Sequence, residues 1–392
     1  MISEDLEYAM FSRKEMESRY ARARELMERR GVDALLISGE ENFQYFTGTA
    51  ASLALHYSLT RPSIFILPAD RAPIIVTQGK DNLVLGSYVT DIRVYDEILS
   101  FPLAVVLDAL GDAGLQQNRL GVELGLEQRM GMPVGAYLDL VGRMPDTEFV
   151  DAADIIVGLR MVKSDEEIAY IRRAAEVTGL ARQRLFGQVV PGMTEREVAR
   201  LMRQLVLEEG GDRTSFVILQ LDVAGSKNQF HYDRPLQAGT ILAVDAGAYV
   251  GMYTVDYVRM ASLGPATDMQ RRVHRAVLEV NQKMVNALKP GVTCSEIYGV
   301  GNRAIEDLRD RVTDLARLSG ARMGHGQGML LTEPPSVNPE DHTRLEPGMV
   351  ISTEPGVRSG NVQFQWEDVH LITEEGHEQL TLETDELREL AF

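Results

Sequence analysis

The stretch Ile241–Asp256, ILAVDAGAYVGMYTVD, decides how the C-terminal half of this chain is read. Ile241-Leu242-Ala243-Val244 is an apolar run that reads as a strand, and it delivers the carboxylate of Asp245 at its end. Gly247 and Gly251 permit a turn. Tyr253-Thr254-Val255 then delivers Asp256, eleven residues after Asp245. A hairpin of that length brings the two carboxylates together. At neutral pH two close carboxylates repel unless a cation lies between them, so the pair points to metal.

Downstream, Gly324-His325-Gly326-Gln327-Gly328 offers one imidazole in a glycine-rich stretch where backbone and metal can approach closely. Pro347-Gly348 turns into Met349-Val350-Ile351-Ser352-Thr353, an apolar strand that ends on Glu354 and is sealed by Pro355-Gly356. Val362, Phe364 and Trp366 alternate with Gln363, Gln365 and Glu367, which gives a strand with two faces and puts Gln365 beside Glu367. Four carboxylates and one imidazole suit Mn²⁺ foremost, or Co²⁺, Zn²⁺ or Fe²⁺, and are too hard a set for Cu(I). Two such ions per chain would acidify a water and hold it as a nucleophile.

Upstream, Pro191-Gly192-Met193-Thr194 precedes Glu197, and Pro290-Gly291-Val292-Thr293 precedes Glu296, at an offset of 99 residues. Each is a Pro-Gly turn followed by a Thr cap and a Glu at the third helical position. Such a repeat predicts a domain of two related halves with its site between them. Earlier still, Phe11–Arg30 reads as a helix capped by Ser12 with Glu15 and ended by Gly31. Val32–Ser38, Ser63–Pro68, Ala72–Thr77 and Leu120–Glu123 read as strands. A capping box at Ser164 and Glu167 opens the next helix, whose face carries Ile168, Ile171, Ala175 and Val177. The organisation is therefore an α/β N-terminal domain over 1–155 and a catalytic domain over 156–392.

The 392 residues, 44% hydrophobic and 25% charged, fit a globular protein of two domains. A net charge of −18 repels phosphate backbones, which argues against a nucleic-acid partner. No apolar run reaches membrane-span length. The acidic start Met1–Glu7 lacks signal-peptide order, and the single Cys294 allows no internal disulfide, so a reducing cytoplasm is expected.

The ordered set, two aspartates eleven apart, G-H-G-x-G, S-T-E-P-G and W-E-D, resembles the pita-bread metallopeptidase family of aminopeptidase P, prolidase, methionine aminopeptidase and the metal-free creatinase. Asn42–Gly48 (NFQYFTG) is similar to the N-terminal domain of its prolidase and creatinase branch. The resemblance implies an α+β pita-bread C-terminal domain with an internal pseudo-two-fold repeat. It implies Asp245, Asp256, His325, Glu354 and Glu367 as metal ligands, with Glu354 also carrying protons. It implies that His231 faces the substrate and helps stabilise the tetrahedral intermediate. It further implies a homodimer, in which Arg61, preceded by His56, reaches the partner's site and pairs with a substrate carboxylate.

The chain departs from that pattern around the substrate. Thr332 stands where peptidases of the family carry a second histidine, Ala321 where proline-specific members often carry another, and Gln365 where they often carry arginine. Val258 replaces a usual Thr. Thr332 can donate a hydrogen bond but carries no positive charge. A peptidase would have to compensate with other groups, and Glu333 and Tyr253 are nearby in sequence. The expected activity is hydrolysis of a short C–N bonded substrate, with a Xaa-Pro dipeptide first. The alternatives are a creatinase-like or related amide hydrolase of small molecules, a lyase on the same fold, and a silent binding module. The lyase branch carries aspartates at positions held here by Gly247 and Leu331, and a silent module would have lost ligands.

Overall fold

The computed structural model describes residues 6–50, 60–221, 231–309, 315–317, 322–359, 362–381 and 386–392. His56, Ala321 and the stretch 228–230 before His231 fall outside them. The chain divides into two compact units, Met1–Arg160 and Met161–Phe392.

The first unit runs α1 (Arg13–Arg30), β1 (Ala34–Ile37), α2 (Glu40–Thr47), β2 (Ile64–Pro68), β3 (Ile74–Thr77), α3 (Asp81–Gly86), β4 (Asp91–Val94), α4 (Leu103–Asp112), β5 (Arg119–Val122), α5 (Val134–Arg143), β6 (Glu148–Asp151) and α6 (Ala153–Met161). Its strands form one mixed sheet in the order β4-β3-β2-β1-β5-β6. The fully apolar β1 and β2 are buried throughout, and Leu36, Ile66, Val106, Leu110 and Leu120 form its core. Ser12 caps α1 through the Glu15 N–H at 3.1 Å. The Glu15 carboxylate turns down the helix to Arg19 at 2.7 Å instead of completing the expected box. Gly31 ends the helix in the left-handed region, φ 61°.

A buried carboxylate organises the next element. Glu123 accepts from Ser38 N and Gly39 N, both at 2.8 Å, from the Ser38 hydroxyl at 3.1 Å and from Asn42 Nδ2 at 2.6 Å. It therefore supplies the anion at the N-terminus of α2, where the cap residue Gly39 has no side chain. A Cβ on Gly39 would lie 2.6 Å from Glu123 Oε1.

The second unit runs α7 (Asp165–Phe186), α8 (Glu195–Glu208), β7 (Arg213–Gln220), β8 (Ile241–Val250), β9 (Tyr253–Thr254), β10 (Tyr257–Leu263), α9 (Asp268–Val285), α10 (Cys294–Arg309), β11 (Leu315–Arg317), β12 (His325–Gly326), β13 (Glu333–Ser336), β14 (Val350–Thr353), β15 (Gly356–Ser359), β16 (Val362–Gln365), β17 (Asp368–Ile372), β18 (His377–Gln379) and β19 (Arg388–Leu390). Three sheets result: β19-β10-β8-β7 with β9 on β8, β11-β15-β16, and β13-β12-β14-β17-β18. Ser164 and Glu167 form the expected box, and Ile168, Ile171, Ala175 and Val177 are buried.

The repeat at the helix starts extends further than its sequence signature. Thr194 and Glu197 form a reciprocal box at α8. Thr293 and Glu296 do the same at α10, at 2.8 and 3.2 Å. Each Thr also bridges to a later segment, Thr194 to Pro235 and Thr293 to Arg344. Leu236 N–H then bonds to the Met193 carbonyl, and Leu345 N–H to the Val292 carbonyl, both at 2.8 Å. From these twin anchors the chain enters β8 and β14, the strands that lead to Asp245 and Glu354. The pseudo-two-fold relation is thus written in matching capped helices, bridges and strands.

Candidate metal centre

Alternation along β8 aims the first carboxylate. Leu242, Val244, Ala246 and Ala248 belong to one apolar core, with Val177 and Leu205. Ile241 and Ala243 belong to a second core, with Ile351, Phe364 and Trp366. Asp245 follows the parity of Ile241 and Ala243, so it faces the second core. It sits in the middle of β8, not at a strand end as its sequence predicts. Opposite it on β10 is Val258.

Asp256 lies in the break between β9 and β10. Gly247 makes that break: a Cβ there would fall 1.7 Å from the Val255 carbonyl oxygen. Gly247 is therefore inside the strand, not in the turn, and the turn itself falls on Gly251, φ 60°. A fully buried amide then clamps Asp256. Gln327 Nε2 donates to its Oδ1 at 2.6 Å and to its backbone carbonyl at 2.9 Å, while Asp256 N–H donates to Gln327 Oε1 at 3.2 Å.

His325 stands on β12, where the glycines serve the neighbouring strands. A Cβ on Gly324 would lie 2.0 Å from the Ser352 carbonyl oxygen, and one on Gly326 2.4 Å from that of Pro334. The His325 Nδ1 is 3.1 Å from the Gly326 carbonyl, which assigns the proton to Nδ1 and leaves the Nε2 lone pair open. Nε2 points at Glu367 Oε1, 3.6 Å away, and Asp256 Oδ2, 4.0 Å away. Ligand atoms of Asp256, His325 and Glu367 all lie within 4.8 Å of one another.

Glu354 follows β14, its N–H held by the Met323 carbonyl at 2.8 Å. The Gln365 amide donates to Glu354 Oε1. Gln365 thus points inward as alternation predicts, but β16 ends on it, and Glu367 stands in the link before β17.

Behind Glu367, Asp368 accepts from Arg259 Nη2 at 2.6 Å, Trp366 Nε1 at 2.8 Å, the Thr381 hydroxyl at 2.8 Å and Asn281 Nδ2 at 3.0 Å. Arg259 lies 3.9 Å over the Trp366 ring and donates to the Glu367 carbonyl at 2.5 Å. Asn281 also takes the Thr353 hydroxyl at 2.7 Å. One helix residue therefore ties the strand before Glu354 to the segment after Glu367.

The electrostatics fit a cation. Burial, then the charges of Asp245 and Glu354, hold Asp256 well above the ordinary carboxylate range. Glu367 is raised by burial and by Asp256, Glu354 and Asp245, against the Ser352 hydroxyl. Both Glu367 oxygens are buried without a well-formed hydrogen bond. Burial, with the nearby charge of Arg322, pushes His325 down to about 3, so its imidazole is neutral. Buried carboxylates facing a neutral imidazole are a donor set for a divalent ion, and unpaired they oppose folding.

Residues 169–374 match the model of metallopeptidase family M24, and residues 19–162 that of the creatinase/prolidase N-terminal domain. The chain belongs to metallopeptidase family M24. It is a metallohydrolase with the family's pita-bread fold. A Xaa-Pro dipeptidase of Pyrococcus horikoshii is 26% identical over 93% of this chain and 96% of that protein. One from Lactobacillus delbrueckii subsp. lactis is 31% identical over 67% of this chain and 72% of its own length. The solved Xaa-Pro dipeptidase from Bacillus anthracis superposes with a TM-score of 0.82 at 22% identity, covering 96% of this chain and all 100% of that one.

The other expected M24 site residues are distributed unevenly. His231 is buried near the Val217 backbone on β7, and Val217 pairs with Ala246, next to Asp245. Burial and the charges of Arg203 and Arg196 lower its pKa, so it is neutral. Among the described residues no hydrogen bond joins it to the carboxylates. Thr332 accepts from Arg322 Nη2 at 3.4 Å. Arg61 precedes β2 in the first unit. Glu333 and Tyr253, noted as nearby in sequence, are engaged with other groups: Glu333 takes the Leu330 N–H at 2.8 Å and pairs with Lys163, and the Tyr253 hydroxyl donates to Glu167 at 2.7 Å. Arg259, Asn281 and Arg322 were not singled out from sequence, and Gln327 and Asp368 stood inside the G-H-G-x-G and W-E-D motifs without a role of their own.

Proposed function

We propose that this chain is a cytoplasmic, homodimeric Xaa-Pro dipeptidase holding two divalent ions, Mn²⁺ foremost, on Asp245, Asp256, His325, Glu354 and Glu367. The observation that carries the reading is the turn of His325 Nε2 toward two buried carboxylates, Asp256 and Glu367, which burial and each other's charge hold above the ordinary carboxylate range. When bound, such ions supply Lewis acidity, polarising a carbonyl and lowering the pKa of water. The chain's own groups do the rest. Gln365 orients the Glu354 carboxylate through Oε1. Glu354 takes a proton from the attacking water and delivers it to the leaving nitrogen as the C–N bond breaks. His231, neutral, donates a hydrogen bond to the developing oxyanion. Thr332 and Gln365 line the substrate, and Arg61 of the partner protomer pairs with a substrate carboxylate.

The M24 match and the Xaa-Pro dipeptidases among its relatives favour peptide over the small-molecule amide. The lyase reading is disfavoured by Gly247, where the Val255 carbonyl leaves no room for the aspartate it needs. The test is a panel of Xaa-Pro dipeptides, small amides and guanidino acids offered to protein reconstituted with Mn²⁺, Co²⁺ or Zn²⁺. Dipeptide turnover is expected, with close to two ions per chain that are lost together in Glu354→Ala or Asp256→Ala. Full metal occupancy with turnover of the small amides alone would replace the peptidase reading.

A further inference from the structure

Both positions at which related peptidases place extra basic groups, 332 and 365, are neutral here, yet the site is not without a cation. Arg322 lies three residues before His325 and is exposed. The segment that carries it is pinned at the centre: Met323 N–H bonds to the Val337 carbonyl, the Met323 carbonyl takes the Glu354 N–H, both at 2.8 Å, and Gly324 takes the Val337 N–H at 2.9 Å. Its guanidinium reaches Thr332, seven residues past His325, at 3.4 Å. The two residues therefore meet, one from the segment before the ligand histidine and one from the segment after it.

Three facts separate Arg322 from an ordinary surface arginine. Its charge acts on both Asp256 and His325. Its bond is to a neutral hydroxyl, and among the described residues it has no carboxylate partner. The other cation at the centre, Arg259, is buried and spent on Asp368, the Glu367 carbonyl and the Trp366 ring. A cation beside a metal centre weakens metal binding, so its presence has a cost that the fold does not need. A planar fork of donors held by one weak bond, beside a hydroxyl, is a receptor for a carboxylate.

We propose that Arg322, with Thr332, receives the terminal carboxylate of the substrate and takes over the charge missing from positions 332 and 365. The proposal rests on the peptidase reading and narrows its substrate to short peptides with a free C-terminus. Arg322 also acts from within the protomer, unlike Arg61.

The test compares Ala-Pro with its C-terminal amide on metal-loaded wild type, Arg322→Gln, Arg322→Lys and Thr332→Val, with metal content measured for each. For Ala-Pro, Arg322→Gln should raise KM about 10- to 100-fold with kcat little changed, as for loss of a charge-assisted bond. Arg322→Lys should recover part of that loss, and Thr332→Val should show a smaller one. The amide should be poorly bound by wild type and indifferent to all three changes. Equal losses on acid and amide, or a gain in Mn²⁺ affinity as the sole effect, would overturn the proposal. Should wild type cleave neither compound, the peptidase reading fails. Arg322 is then read by calorimetric titration of Ala-Pro and its amide, where an acid preference that vanishes in Arg322→Gln upholds the proposal and no preference sinks it.

Discussion

Gln327 is a single side chain on which the position of Asp256 depends, because its amide gives and takes hydrogen bonds at once. Replacing it with Leu keeps the volume and removes every bond. Calorimetric titration with Mn²⁺ should then show affinity about 10- to 100-fold weaker, in keeping with the loss of a group that orients a ligand. Unchanged affinity would mean that the backbone alone holds Asp256. The same centre sets a pH dependence. Asp256 and Glu367 are raised above their unfolded values, so the metal-free folded chain retains protons that the unfolded chain releases. Their contribution favours folding least at high pH: it falls as pH rises from the unfolded pKa, about 4, through the raised folded values. A divalent ion displaces those protons, so the gain in Tm on adding Mn²⁺ should grow from pH 5 to pH 8. His325 is already neutral across that range and should not contribute. A gain independent of pH would count against the pair as ligands. Asp256, His325 and Glu367, which the fold brings together, are legible because spacing and flanking apolar runs mark them. The roles of Gln327 and Asn281 are not, because their partners lie 71 and 87 residues away in sequence.

Elements were readable where local chemistry fixes them and misread where a distant strand does. The caps at Ser164, Thr194 and Thr293 are local, three-residue signals, and all formed. Asp245 looked like a strand end because its run is followed by glycine, but β8 continues to Val250 against β7 and β10. Glycine there marks close contact with Val255, not a turn. Glu123 read only as the end of a strand, whereas it caps a helix 81–85 residues earlier. Glu123→Ala should leave those buried donors unpaired and lower stability by about 3 kcal/mol in urea titration. Glu123→Gln, which keeps one acceptor, should cost less. A loss below about 1 kcal/mol for the alanine variant would show that water replaces the carboxylate.

At the scale of the molecule, two units are expected from length, with a division after residue 155, and the chain divides a few residues later, after Arg160. The order of strands within each sheet does not follow from the sequence, because pairs such as β10 with β19 join residues more than a hundred positions apart. The repeat was visible as two helix starts 99 residues apart. Its continuation through Leu236 and Leu345 was not, since Pro235 and Arg344, the bridged residues, share no chemistry. A homodimer is expected from the proposed role of Arg61. Light scattering should give the mass of two chains, and Arg61→Ala should raise KM for carboxylate substrates. A monomer with full activity would remove Arg61 from the site and leave carboxylate capture to Arg322.

The contact between Gly247 and Val255 also bears on evolutionary reach. From a GGT or GGC glycine codon, aspartate is a single-base step, so the genetic distance to a carboxylate can be short. The physical distance is not, because the new Cβ would occupy the space of the Val255 carbonyl oxygen 1.7 Å away. The link between β9 and β10 would have to be rebuilt first, and that link carries Asp256. An aspartate at 247 therefore requires the segment that carries Asp256 to move as well.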